Sequence, residues 1–290
     1  MLSPDIILAA VLNGLMNGAI YALIALGLTL VYGVLHIINF AHGATLTAAM
    51  FVVFIAFTVF GIDPFVMIPA MALGFFGVGY ALQRFVVGPA AQGSDNNVLL
   101  ITLGLSIMIE NGLLAVFHSD TRSIDVPYGF SSFDLGFTFL SVPKVAGFGV
   151  SLAVALVLWV ILIRTDTGKA IRAVARERMG AELAGIDVEH IFAVTFGLGA
   201  ATVAIAACLL MPTFYVSPRI GNAFVLVAFT IVVLGGMGSI PGAVTGALIV
   251  GIIESVSGLF LDESLGQLGI FILFILVLLL RPTGLFGART

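Results

Sequence analysis

The side chains able to do chemistry in this sequence are few, and they sit in or between long apolar runs: His36, Asn39, His42, Glu110, Asn111 and Glu254. An amide or ionisable group at membrane depth has to face protein or a water-filled cavity, and a carboxyl group there points to a solute pathway or a proton relay. Glu110 and Glu254 are the acids that stand deep in apolar runs, and Asn111 can serve the same cavity as Glu110. Asn39 and His42 occupy a polar break between two apolar runs. Two roles are open for them, as hydrogen-bonding or gating groups on a pathway, or as ties for the free backbone of a broken helix. The carboxyls likewise are either pathway groups or neutral acids bonded to a neighbouring helix or placed near the interface.

Other chemistries lack their patterns. There is no His-x-x-x-His spacing and one cysteine, Cys208, so neither a zinc set nor a disulfide framework is expected. Gly168-Lys169-Ala170 lacks the upstream glycine and the following Ser/Thr of a phosphate-binding loop. No nucleophile motif accompanies His42, which speaks against a hydrolase. No cofactor is expected, and ATP, if it energises the protein, belongs to another chain. The net charge of −4 and the absence of a basic tract set nucleic acid aside.

The elements that must position these groups are membrane helices. Of 290 residues 61% are hydrophobic and 9% charged, with mean hydropathy +1.23. The apolar runs are continuous rather than alternating, which excludes a β-barrel. At about 20 residues per span they read as 6–31, 41–60, 65–82, 98–117, 145–163, 191–210, 223–234, 243–260 and 268–280. The expectation is an all-α polytopic membrane protein of eight or nine transmembrane segments, forming one transmembrane domain over 1–290. Some segments are broken at Gly, Pro or Asn, the mark of discontinuous helices in transporters. Met1–Asp5 has no basic n-region, so the first run is expected to be a retained span. Residues 84–97 read as a loop from their turn chemistry, and 118–144 as a periplasmic loop.

The segment from Arg164 to His190 is the long charged one. It carries Arg164, Lys169, Arg172, Arg176 and Arg178, and a Lys or Arg at mid-membrane costs about 2.5–3.5 kcal/mol. It is therefore in water. Thr165, Asp166 and Thr167 are helix-capping types, and Ala170, Ile171 and Val174 recur at helical spacing. Gly180 is expected to break this helix and Gly185 to end a further turn over 181–184. The result is a two-helix knob, either a solvated connection or a docking surface. With the knob in the cytoplasm, positions 84, 164, 169, 172, 176, 178, 281 and 289 put eight basic residues inside against three outside, Arg122, Lys144 and Arg219. The N-terminus is then periplasmic and the C-terminus cytoplasmic. Gly238, Gly242 and Gly246, like Gly14 and Gly18, recur every fourth residue and allow close helix approach, within the chain or at a subunit interface.

Several strings together give a resemblance: Tyr21-Ala22-Leu23-Ile24-Ala25-Leu26-Gly27, Ile38-Asn39-Phe40-Ala41-His42-Gly43, the knob strings 168–173 and 181–186, and Leu234 to Ala243. Nearly end to end, the chain resembles the LivH-type permeases of branched-chain amino acid ABC importers. The resemblance implies an inner-membrane subunit paired with a LivM-type permease, two cytoplasmic ATPases and a periplasmic substrate-binding protein. It makes the knob the ATPase-coupling segment, with Gly168, Arg172, Ala181, Glu182 and Gly185 on matching positions. Two departures are the lack, over 84–97, of the run of basic residues common there in the family, and the acid at Glu110, where the family often has a neutral amide. Because the family includes importers of urea and short amides, these remain an alternative cargo. A self-contained proton-coupled transporter or channel using Glu110 or Glu254 is the reading from a different class.

Overall fold

The computed structural model describes residues 4–91, 95–134, 136, 138–261, 265–281 and 284–286. Both chain ends, and Arg289 with them, lie outside the described residues. Apart from one short β-ribbon the architecture is helical. The helices are α1 (Pro4–Leu35), α2 (Ala41–Phe60), α3 (Pro64–Leu82), α4 (Gly88–Ala91), α5 (Asp95–Phe117), α6 (Val142–Arg164), α7 (Asp166–Arg176), α8 (Arg178–Leu183), α9 (Val188–Leu210), α10 (Gly221–Gly235), α11 (Ile240–Phe260) and α12 (Gly266–Leu280). Strands β1 (Ser132–Asp134) and β2 (Phe139–Ser141) form an antiparallel pair with Ser132 opposite Ser141. Seven of the described helices are long and apolar enough to cross a membrane, and α10 and α12 are shorter apolar helices. The protein is an all-α polytopic membrane protein.

Helices α1 and α9 form the centre and are buried along most of their length, while α3, α5 and α6 present broad apolar faces outward. Lipid supplies no hydrophobic drive between helices, so association rests on close packing and on small residues that admit it. That rule is visible between α1 and α11. A Cβ at Gly14 would lie 2.6 Å from the Gly251 carbonyl oxygen, and one at Gly18 would lie 2.7 Å from that of Ala247. The close antiparallel approach of the two helices therefore depends on both glycines.

Three features depart from the sequence reading. Residues 84–97 are largely helical: a π-helical turn over Gln83–Val87 links α3 to α4, and α5 has begun by Asp95. Gly88 and Pro89 continue the helix past the π-helical turn, with the Gly88 N–H donating to the Gln83 carbonyl. In the knob the break falls at Glu177, which is extended at φ −156°, ψ 101°, and Gly180 lies inside α8. Gly238 precedes α11 with φ +86° instead of sharing a helix face with Gly242 and Gly246. Ser239 caps α11, its hydroxyl accepting from the Gly242 N–H at 3.2 Å, and Pro241 stands in the first turn. A serine cap followed by proline starts a helix more strongly than glycine spacing continues one.

The outer loop is pinned at two places. Asp63 caps α3 through the Phe65 N–H at 2.8 Å, and its second oxygen accepts from the Tyr128 hydroxyl at 2.6 Å. Burial, and then the Asp63 carboxylate, pushes the Tyr128 hydroxyl above the ordinary tyrosine range, so it stays a donor. Arg122 pairs backbone to backbone with Val216, and its guanidinium lies over the Phe54 and Phe117 rings.

Gly18→Ala is expected to lower stability by about 1–3 kcal/mol through overpacking, whereas Gly77→Ala, where a Cβ would meet nothing within 4 Å, leaves stability unchanged or raises it. Thermal melts of the two detergent-solubilised variants check this contrast.

Candidate functional site

The link between α1 and α2 turns back into the bundle. His42, in the first turn of α2, places its Nε2 2.8 Å from the carbonyl oxygen of Ile24, which is about 16 Å from the end of α1 at a rise of 1.5 Å per residue. Asn39 accepts from the Ala41 N–H at 3.0 Å through Oδ1. Both side chains are fully buried, at 4% and 2% exposure, and both are engaged with backbone. The Gly221 N–H donates to Thr47 Oγ1 at 3.0 Å, so α10 begins against α2, well inside the bundle. Helix α10 has 15 residues, about 22 Å, shorter than a 30 Å hydrocarbon core.

On the far side from the knob, beyond the start of α10, lies a cavity of about 700 Å³ between the first turns of α1, the 214–227 segment and α11. Glu254 of α11 and Lys144 of α6 bring opposite charges to it, and Asn13, Asn17 and Gln267 bring amides. Phe214, Tyr215 and Phe224 form an aromatic wall. Glu254 faces the Tyr21 hydroxyl, and the Lys144 ammonium acts on it. One carboxylate oxygen, Oε2, is buried with no hydrogen-bond partner among the described residues. A lining with both signs of charge, amides and aromatic faces suits a small polar solute with an apolar part.

Glu110 and Asn111 are elsewhere. They lie on α5, which packs chiefly on α2, and they do not line this cavity. Asn111 is exposed and donates to the Ile107 carbonyl at 2.8 Å, and Glu110 is half-buried. The acids singled out by sequence thus mark two places, the Glu254 cavity and the outward flank of α5.

The knob has two faces. Thr165 caps α7, accepting from the Gly168 N–H at 3.0 Å. Gly168, Ile171, Val174 and Ala181 are buried against the chain's own transmembrane helices. Any Cβ at Gly168 would overlap the carbonyls of Ile161 and Leu162 at the end of α6. Arg172, Glu182 and Gly185 are exposed, and so are the large apolar side chains Met179 and Leu183, at 70% and 85%. Gly185 takes the left-handed φ of +83° that closes α8. Of the five positions matched by resemblance, then, Gly168 and Ala181 hold the knob to the bundle, and the other three face outward. Gly242 and Gly246 pack on α10, and Gly238 on Gly33 of α1.

Residues 10–280 match the family model described as branched-chain amino acid transport system / permease component. The chain belongs to this family of permeases. It is 34% identical to the high-affinity branched-chain amino acid transport system permease protein BraD of Pseudomonas aeruginosa, over 97% of this chain and 95% of that protein. It is 35% identical to LivH of Escherichia coli K12, over 95% and 94%. Its fold resembles PsaBC from Streptococcus pneumoniae, solved in complex with Fab, at TM-score 0.52 and 15% identity, covering 95% and 93% of the two chains.

The sequence reading of this permease missed Tyr21, Asn13, Asn17 and Lys144 as cavity residues. Asn13, Asn17 and Tyr21 fall four residues apart on α1, the helical spacing that marks one face. Lys144 stands at the start of α6, where it reads as an interfacial anchor.

His42→Ala is expected to cost about 1–3 kcal/mol of stability, since it leaves a void and a lost buried hydrogen bond. Glu254→Gln keeps the shape of the side chain and is expected to melt near wild type while slowing solute uptake. Melting curves and uptake per folded molecule, measured side by side, separate the two effects.

Proposed function

We propose that this permease is the transmembrane subunit of an ATP-driven ABC importer that carries branched-chain or other neutral amino acids across the bacterial inner membrane. The observation that carries the reading is the knob, whose inner face is locked into the bundle while its outer face combines Arg172 and Arg176 with bare Met179 and Leu183. Burying a side chain such as Met or Leu is worth about 1.5–3 kcal/mol, so α8 offers a compact apolar contact beside a basic patch that sets register. A cytoplasmic ATPase is the occupant that fits. The assembly would comprise two such ATPases, a second permease of the LivM type and a periplasmic substrate-binding protein. This chain would hold no cofactor, with ATP bound only on its partners.

Orientation follows the excess of Lys and Arg on the knob's side, which puts the knob in the cytoplasm and the N-terminus in the periplasm. The Glu254 cavity then opens to the periplasm. There a neutral amino acid would place its ammonium at Glu254, its carboxylate near Lys144 and its aliphatic group against Phe214 and Phe224. The exposed α5 flank with Glu110 and Asn111 would meet the second permease and continue the pathway. Asn39 and His42 would act on that pathway through the re-entrant link that they hold. Force would enter through α7, which Gly168 and Ile171 fasten to the bundle. Beside it a gap of about 270 Å³ separates Arg172 from Gly238 and Pro241, giving the break between α10 and α11 room to move.

Proteoliposomes containing the whole assembly are expected to take up labelled leucine with internal ATP, and to stop when the ATPases are left out. Continued uptake without them would favour a proton-coupled carrier. Excess valine or isoleucine should compete with leucine. If urea or acetamide competes as well, the cargo is a short amide. Leu183→Arg should lose the ATPase on purification while melting like wild type.

A further inference from the structure

A second cavity, of about 550 Å³, lies at the knob's end of the molecule. Its walls come from the end of α1, the π-turn after α3, the starts of α5 and α9, and the α7–α8 hinge. It differs from the Glu254 cavity in place and in lining, and the transport reading touches it only at Arg176 on its rim.

Four observations meet there. Gln83 is 3% exposed, and its carboxamide makes no hydrogen bond among the described residues; Oε1 is buried without a partner. A buried amide without a partner is costly by roughly 1–3 kcal/mol, and a ligand group can relieve that cost. Gln83 also opens the π-helical turn, an irregularity common at functional sites. His36, on the opposite wall, holds a left-handed φ of +57°, which a side chain seldom adopts. Finally, the charges are unevenly committed. Arg84 is bound to Glu189 at 2.8 Å, and Arg178 lies over the Phe192 ring, 5.4 Å from its centroid. Neither Arg176 nor Arg178 takes part in an ion pair among the described residues, and neither does Glu177 between them.

The floor is apolar. Ile37, Val87 and Val98, with Leu35 and Ile101 against them, form a small hydrophobic cluster separate from the main core, and four of these five residues line the cavity. Free guanidinium groups recognise a carboxylate. The Glu177 carboxylate can accept from an ammonium, the Gln83 carboxamide N–H can donate to the ligand carboxylate, and the cluster takes a short aliphatic chain.

We infer that this cavity is a regulatory site for a free aliphatic α-amino acid on the cytoplasmic face, separate from the transport pathway. The inference rests on the cytoplasmic placement of the knob argued above. Two of the lining arginines flank Glu177, the extended residue that joins α7 to α8. A ligand gripping Arg176, Arg178 and Gln83 together fixes the hinge against the bundle and changes how motion passes through the knob. Accumulated product on the inner side thereby sets the rate of further import.

The test uses the whole assembly in nanodiscs, where both faces are open, with the binding protein omitted so that leucine acts only on the membrane complex. Leucine is expected to change the basal ATPase rate severalfold and saturably. 4-Methylpentanoate and isopentylamine, each leucine without one of its charged groups, should have little effect. Gln83→Met removes the amide at similar volume, and Glu177→Gln removes one charge outside the docking patch. Each should raise the half-maximal leucine concentration about tenfold or more, the equivalent of about 1.4 kcal/mol, while both variants melt like wild type. A merely structural Gln83 would leave the leucine response unmoved. Glu254→Gln should leave this response intact, so an effect abolished there and retained in Gln83→Met would move it to the outer cavity and overturn the inference. An ATPase rate indifferent to leucine overturns it also, as does one that follows the phosphatidylglycerol content of the disc instead, which would make the occupant a lipid headgroup. If the same assembly, moved to proteoliposomes with the binding protein restored, takes up leucine normally, the inference alone has failed. If uptake is absent as well, the importer reading has failed with it.

Discussion

Close backbone contact around α1 is the constraint on which the rest of the structure depends. Hydrocarbon gives helices no reason to associate beyond packing and hydrogen bonds, so the bundle exists only where side chains are small enough to let backbones meet. Gly14 and Gly18 admit α11, and Gly27 admits α9 through Gly199. With α1 held on both sides, the chain can leave other helices incomplete. The short α10 and the re-entrant link before α2 are tolerated because their polar backbone ends are buried against protein rather than lipid.

From that centre the two ends of the molecule take different characters. Where α10 stops short the bundle opens into a cavity lined by Glu254, Lys144 and amides, the surroundings a polar solute needs. At the other end the chain emerges as a knob fastened by Gly168, Ile171 and Val174. A push on the exposed side of such a knob cannot be absorbed locally, because its inner side is in contact with α6 and α1. The geometry suits transmission of force between the knob and the bundle.

The polar groups buried in the bundle divide by what they touch. His42 and Asn39 are satisfied by backbone, and they hold the link in its turned-back course. Among the described residues nothing hydrogen-bonds Glu254 Oε2 or Gln83 Oε1. Their cost is carried by the closely packed helices around them.

Sequence alone determined the class. Continuous apolar runs mean membrane helices, the basic segment from Arg164 to His190 means water, and the strings around Asn39 and Pro241 point to the family. These properties are legible because composition and local order carry them. Tertiary structure decided everything that depends on distance between helices. It placed Glu254 beside Tyr21 and Lys144, residues 233 and 110 positions away in the chain, and it separated Glu254 from Glu110. It buried Gly168 and Ala181 while leaving Met179 and Leu183 bare. It moved the knob's break from Gly180 to Glu177 and made a helix of much of 84–97. Local propensity is worth about 1 kcal/mol or less per residue other than proline, and packing across the bundle overrides it, so the pairing of helices settled what no single stretch of the chain could.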